Sequence, residues 1–461
     1  MKKLVILGAG ESGAGTAVLG LKQGYDVFVS DMGPIKPQYK QLMDTYHVPY
    51  EENGHTEARI LDATEVVKSP GIPATAPLVQ KLTALGTPIL SEIEFAARYS
   101  HAQFVCITGS NGKTTTTSLI YDIFCRAGYN VGLAGNIGKS LALQVALDDK
   151  QWYVVELSSF QLDNMYRFRA HIAVLMNITP DHLDRYDFCF QNYVDAKMRI
   201  TRNQQPDDAF IYWQGDPVIM KEIGKLNSAK QEAHRDGAVC QATLCPFTAD
   251  TPLPVPDAEL SLKGVHNRLN ATAATLAARK AGIDDSVIAA SLRTFAGVEH
   301  RLQFVCEKNG IRFINDSKAT NVNSCFYALG AMTTPTVLIL GGKDKGNDYS
   351  EIDDLVRQKC HTLVYMGLHN EKLHEHFDGM TRLDGTPLRI IDTDNLADCV
   401  RLSYQAALDF DNSPKAGELP EGLKGHSTVL LSPCCASFDL FRSYEDRGDR
   451  FMSAVRAIVQ D

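Results

Sequence analysis

The densest chemistry in this sequence lies in Thr108-Gly109-Ser110-Asn111-Gly112-Lys113-Thr114-Thr115. Glycines there let successive backbone amides form a nest for phosphate oxygens, a lysine suits the β- and γ-phosphates, and the next hydroxyl suits Mg2+. Position 107 is Ile, so the first glycine of the usual phosphate-loop spacing is missing. An apolar run before the loop and a helix-like run after it supply the context the motif needs. ATP binding by Gly109, Asn111, Gly112, Lys113, Thr114 and Thr115 is therefore expected in preference to a bare strand-to-helix turn.

Two further glycine-rich loops are more ambiguous. Gly8-Ala9-Gly10-Glu11-Ser12-Gly13 is a complete G-x-G-x-x-G run between a strand and a helix, and Asp31 follows Gly13 at the distance where an acid meets a ribose hydroxyl. Alone it is compatible with NAD or FAD, with another nucleotide, or with a ligand-free tight turn. Gly341-Gly342-Lys343-Asp344-Lys345-Gly346 fits an anion site at the end of a sheet strand equally as well as a solvated charged turn.

Metal candidates surround the first loop. Glu156 ends an apolar strand and is placed to hold Mg2+ directly or through water. His182, in Asn177-Ile178-Thr179-Pro180-Asp181-His182-Leu183-Asp184, follows another strand. A lone histidine is more often structural, but this one stands beside the other candidates. Lys197, by its own surroundings, reads as a solvated helix lysine. His374-Glu375-His376 has a spacing unsuited to one helix face, and the scattered cysteines read as small core residues.

These residues need elements to hold them. Short apolar runs alternate with helical stretches almost throughout, the pattern of parallel α/β units. Strands are expected at residues 3–7, 104–108, 153–156, 172–177, 336–340, 362–366 and 428–431, and the first block closes near residues 88–90. The Pro-rich residues 246–256 suit a loop or sheet edge. The polar, Gly- and Pro-containing residues 409–425 suit a surface excursion. A length of 461 residues suits about three domains, with boundaries near 92 and 297: residues 1–92, 93–297 and 298–461.

Composition narrows the class. An apolar fraction of 44% and a charged fraction of 22% are those of a globular protein, and the net charge of −9 argues against nucleic acid as the main partner. No apolar run approaches the roughly 18 residues of a membrane span. Met1-Lys2-Lys3 imitates a signal start, but the apolar stretch stops at Gly8 and reads as a first strand. Eleven cysteines without a CxxC pair argue against a disulfide framework and for a reducing cytoplasm.

In order and spacing, Gly109–Thr115, Glu156-Leu157-Ser158-Ser159-Phe160-Gln161-Leu162, residues 177–184, Gly264-Val265-His266-Asn267 and Glu299-His300-Arg301 resemble the Mur ligases, the ATP-dependent amino-acid ligases of peptidoglycan precursor synthesis. Asn315-Asp316-Ser317-Lys318-Ala319-Thr320-Asn321, Ser432-Pro433-Cys434-Cys435-Ala436-Ser437 and Glu445-Asp446-Arg447-Gly448 look like the D-glutamate-adding branch, over essentially the whole chain. The resemblance implies three α/β domains: an N-terminal Rossmann-like domain for a UDP-sugar, a central ATPase-like domain, and a C-terminal Rossmann-like domain for the amino acid. It implies substrates ATP, D-glutamate and UDP-N-acetylmuramoyl-L-alanine, two Mg2+ ions, no NAD, and a monomer in the cytoplasm with no nucleic-acid or membrane partner. Ser12, Asp31, Gly71, Asn136 and His182 would contact the UDP-sugar. Lys113 would hold the phosphates, and Thr114 and Glu156 the first Mg2+. His182 and a carbamylated Lys197 would serve the second. Asn267, Asn270, Arg301 and Asp316 would contact the adenosine end, and Lys318, Thr320, Lys345, Ser437 and Tyr444 would surround D-glutamate. A folylpolyglutamate synthase-like ligase and an NAD-dependent oxidoreductase are the rivals. The first is disfavoured by the N-terminal domain and residues 315–321, and the second leaves the 109–114 loop unexplained.

Overall fold

The computed structural model of the chain describes residues 2–232, 241–417, 419–420 and 422–460. They form two compact units, Met1–Ala296 and Gly297–Asp461.

The first unit contains two parallel sheets. One has the order Tyr50–Glu51, Asp26–Ser30, Lys3–Leu7, Glu65–Lys68, Ile89–Leu90. Its central strands, Lys3–Leu7 and Glu65–Lys68, are buried almost end to end, because helices cover both faces of a parallel sheet. The other runs Thr243–Phe247, Ala209–Trp213, Ile172–Leu175, Gln103–Thr108, Trp152–Glu156, Val131–Gly135. Pro246 sits on its edge strand, where a missing amide costs no ladder bond. Helix Glu11–Lys22 of the first sheet packs on helix Leu141–Leu147 of the second. Below them the buried Glu92 carboxylate accepts from Ser140 Oγ (2.5 Å) and the Ala142 amide (3.0 Å).

The strand expected over 172–177 stops at Leu175. The Asn177 carbonyl takes the Ser110 amide (2.9 Å), and its side-chain oxygen takes the Asn111 amide (2.8 Å). Asn177 therefore leaves the ladder to brace the phosphate-type loop.

The second unit has one sheet, ordered Gln303–Lys308, Ile311–Asn315, Thr428–Leu431, Thr336–Leu340, Cys360–Met366, Arg389–Thr393. Only the first pair is antiparallel. Helix Leu396–Asp411 runs into the expected excursion and is followed by a short 3-10 turn, Pro414–Gly417. Residues 418 and 421 of that stretch lie outside the described residues. Among the described residues ten cysteines are free thiols, and no described helix is long and apolar enough to cross a membrane. The three α/β sheets match the fold class read from the sequence.

Candidate active site

The phosphate-type loop joins strand Gln103–Thr108 to helix Lys113–Arg126, whose first turn carries Thr114 and Thr115, both buried. Gly112 must be glycine. Its φ is +81°, and a Cβ there would lie 2.6 Å from the Asn270 side-chain oxygen. That same oxygen accepts from Thr116 Oγ (3.3 Å), while the Asn270 side-chain amide reaches Asn267 (3.2 Å), so two of the four expected adenosine contacts sit on one helix, Val265–Lys280, against the loop, whereas Arg301 and Asp316 belong to the second unit.

Two lysines converge on the loop. Lys113 Nζ donates to the carbonyls of Gly109 and Ser110, both at 2.7 Å. Lys197 Nζ donates to the Gly109 carbonyl at 2.8 Å and lies 4.5 Å from the Tyr193 ring centroid. Lys197 is only 2% exposed, which corrects the solvated lysine read from its neighbours in sequence. Its helix, Phe190–Met198, turns Tyr193, Val194, Ala196 and Lys197 inward. Burial pushes its ammonium well below the ordinary lysine value, and the charge of Lys113 pushes the same way against Asp181 and Glu156. Both effects favour the neutral amine over the ammonium.

Glu156 is 1% exposed. One carboxylate oxygen accepts from Asn136 Nδ2 (2.7 Å), whereas Oε2 is buried without a protein partner. Asn136 is further fixed by its amide on the Glu156 carbonyl (2.9 Å). His182 has a left-handed backbone (φ +54°) and stacks edgewise on Phe160 at 5.1 Å. Arg185, three residues on, donates to the carbonyls of Gly71 (3.2 Å) and Pro70 (3.3 Å). It ties the His182 loop to the sheet that carries the first glycine-rich loop.

Around that loop, Asp31 accepts from the Ala9 amide (2.6 Å) and the Gly33 amide (2.9 Å). Gly13 lies so close to the loop that a Cβ would stand 1.9 Å from the Gly8 carbonyl oxygen. A cavity of about 540 Å3 opens at the carboxyl ends of the strands, lined by Gly8, Gly10, Asp31, His55 and Gly71 among others. Asp31 and Gly71 thus meet in one cavity. Ser12 lies in the first turn of the adjoining helix, its carbonyl accepting from Thr16 Oγ.

In the second unit, the loops after three adjacent strands gather the residues expected around the amino acid. Lys318 donates to the Tyr444 hydroxyl (2.6 Å) and lies 4.3 Å from its ring centroid, and the Thr320 amide reaches the Lys318 carbonyl (3.0 Å). Ser437 is buried, and its neighbour Ala436 pairs through its backbone with Lys343 in the third glycine-rich loop. Lys343 is exposed while Lys345 is half-buried. Asp316 accepts from Ser432 Oγ (2.9 Å) and the Leu302 amide (3.1 Å). Burial pushes its carboxyl up to about 6, against the opposing pull of Arg301.

Sequence reasoning gave Arg447 no role, yet it is fully buried and links all three loops. It donates to the Ser317 hydroxyl (3.0 Å) and to the carbonyls of Ser317 (2.9 Å), Cys435 (3.2 Å) and Gly341 (3.5 Å). The one signal in the sequence was its place in the Glu445–Gly448 run. Likewise Asn177, Tyr193 and Arg185 became visible only through their contacts. The His374 and His376 rings are held by Asp378, Asp392 and Asp353, as befits surface histidines.

Residues 3–77 match the MurD N-terminal domain, 107–278 the Mur ligase middle domain, and 300–411 the glutamate ligase domain of Mur ligases. The chain belongs to the Mur ligase family. It is 58% identical to a protein of Bacteroides thetaiotaomicron named UDP-N-acetylmuramoylalanine--D-glutamate ligase, over 99% of this chain and 100% of that one. It is 50% identical to a Porphyromonas gingivalis protein of the same name, over 98% of each. Among solved structures, the UDP-N-acetylmuramate-alanine ligase of Thermotoga maritima aligns over the full length of both chains with a TM-score of 0.58 at 15% identity. The ADP complex of Mycobacterium tuberculosis folylpolyglutamate synthase aligns over 79% of this chain and 91% of its own, with a TM-score of 0.57 at 14% identity. These two are likenesses of fold.

Proposed function

We propose that this chain is an ATP-dependent, ADP-forming ligase that adds D-glutamate to UDP-N-acetylmuramoyl-L-alanine in peptidoglycan precursor synthesis. One observation carries the reading: relatives of that name match end to end, and the matched region holds a phosphate-type loop facing a carboxylate with a bare buried oxygen. Joining a carboxylate to an ammonium in water is uphill, so ATP must activate one partner. The L-alanyl carboxylate attacks the γ-phosphorus and the β,γ bond breaks, giving an acyl phosphate and ADP. The D-glutamate amine then adds to the acyl carbon, loses a proton, and phosphate departs.

Lys113 serves the phosphates by exchanging its two carbonyl partners for phosphate oxygens. Gly109, Asn111, Gly112 and Thr115 shape the loop, and Asn267 and Asn270 brace its far side. Glu156 and Thr114 suit Mg2+, which prefers one or two protein carboxylates together with substrate phosphates. The unpartnered Glu156 Oε2 fits that demand. When bound, Mg2+ neutralises charge on the phosphoryl oxygens. Lys197, as a neutral amine, attacks CO2, forms an N–C bond as one C=O π bond opens, and loses a proton, becoming a carbamate that would serve a second Mg2+ together with His182. Ser12, Asp31, Gly71 and Asn136 take the UDP-sugar in place of NAD. Lys318, Thr320, Lys345, Ser437 and Tyr444 take D-glutamate. The enzyme is read as a cytoplasmic monomer.

The test is ADP release with each substrate omitted in turn. ADP release should require the sugar nucleotide, and sustained turnover should require D-glutamate as well. Full ATPase activity without the sugar nucleotide sinks the proposal.

A further inference from the structure

The cavity beside Gly8–Gly13 contains a histidine to which nothing above gives a role. His55 lies on the loop that follows strand Tyr50–Glu51 and lines the cavity with Asp31, Met32 and Gly71. Its Nδ1 is 2.7 Å from Ser30 Oγ, and Ser30 Oγ is 2.6 Å from Glu51 Oε1. The same Glu51 oxygen accepts the Thr56 amide at 2.8 Å. This chain of contacts fixes the direction of every proton in it. Burial pushes the Glu51 carboxyl up, but hydrogen bonds from Ser30 and Thr56 outweigh it and hold the group below its usual range, so it is an ionised acceptor. A serine hydroxyl has one proton. Ser30 gives it to Glu51 and is left only lone pairs for His55, so Nδ1 of His55 must carry the hydrogen. In the neutral ring Nε2 is then an acceptor, and among the described residues His55 has a hydrogen-bond partner at Nδ1 alone.

We infer that His55 is a specificity-determining residue of the sugar-nucleotide site, its Nε2 accepting the N3–H of uracil. This rests on the UDP-sugar reading of that cavity. The apolar walls, Met32, Ile72 and Leu78 among them, suit the faces of a base but offer no hydrogen bonds of their own. A preset acceptor favours a base with a donor at N3. It opposes cytosine, whose N3 is a lone pair, because two acceptors would then face each other desolvated. Ser30 and Glu51 act as positioning residues that hold the tautomer.

Two measurements on the full chain test this. Calorimetry compares UDP with CDP in the absence of ATP and D-glutamate. Steady-state kinetics compares UDP-N-acetylmuramoyl-L-alanine with its CDP counterpart. The wild type should prefer the uridine form by about 10- to 100-fold in both. His55→Phe should raise the KM for the uridine substrate by a similar factor and reduce the base preference to within about threefold. The KM values for ATP and D-glutamate and the melting temperature should not move. Ser30→Ala, which leaves the ring and frees its tautomer, should lose part of the preference. Retention of the full preference by a folded His55→Phe protein overturns the inference, as does a wild type indifferent to the base. If UDP binds with preference but no ligation occurs, the ligase reading fails and this one stands.

Discussion

The phosphate-type loop and the amino-acid loops of the second unit both bury cations, but they use them differently. Lys113 and Lys197 rest on backbone carbonyls of residues 109 and 110, partners that a ligand can replace. Arg447 spreads its guanidinium over carbonyls of three loops that follow adjacent strands. A lysine on a flexible stem can leave its resting partners at little cost, whereas a planar fork bound at several points cannot. The first region therefore stores reagents, and the second stores a framework. Substitutions in the first should remove activity and spare the fold. In the second, losing Arg447 should damage the fold directly.

The sharpest way to break this contrast is Lys113→Ala. Turnover should fall by about 10^3-fold or more, as expected when charge on a transferring phosphoryl group loses its main protein counterion. The melting temperature should stay within a few degrees, since only two carbonyl contacts go. Lys197→Ala should behave alike and regain part of its activity with acetate. A folded, active variant insensitive to bicarbonate depletion removes the carbamate from the account.

Arg447→Met probes the framework. Several buried carbonyls lose their donor, at a cost on the order of 3–5 kcal/mol. A clear drop in melting temperature should accompany a raised D-glutamate KM. An equally stable Arg447→Met protein would put this arginine among the reagents.

Lys345→Ala should cost on the order of 2–4 kcal/mol, roughly 30- to 1000-fold, in the KM for D-glutamate, because one substrate carboxylate is desolvated without a countercharge. The ATP KM should hardly change. If the ATP KM rises instead, the third glycine-rich loop serves phosphate.

The smallest effect concerns Asp316. Its folded-state value, about 6, lies above the ordinary aspartate value of 3.8, so the folded protein binds the extra proton. That stabilisation is full below about pH 4 and is lost as pH rises through 6. Asp316→Asn should therefore be more stable than the wild type at pH 8, by roughly 2 kcal/mol, with the gap closing by pH 4. Melting curves across that range check it, and a gap independent of pH argues against a strained carboxylate.

The loops and most strands were legible in the sequence because glycine spacing and apolar runs are local signals. Gly109–Thr115 and Glu156 were found that way. The state of Lys197 was not, since its burial depends on a carbonyl 88 positions away and on the ring of Tyr193. Arg447 and His55 were hidden for the same reason: the Ser317, Gly341 and Ser30 contacts that define them are made by chain topology rather than by neighbours in sequence.

The central claim is that ATP activates the L-alanyl carboxylate, and oxygen transfer tests it most directly. The substrate is prepared with 18O in that carboxylate and turned over with ATP and D-glutamate, and the released phosphate is weighed by mass spectrometry. One 18O atom in each phosphate is the predicted result. Unlabelled phosphate, at full yield of ligated product, would contradict the acyl-phosphate route.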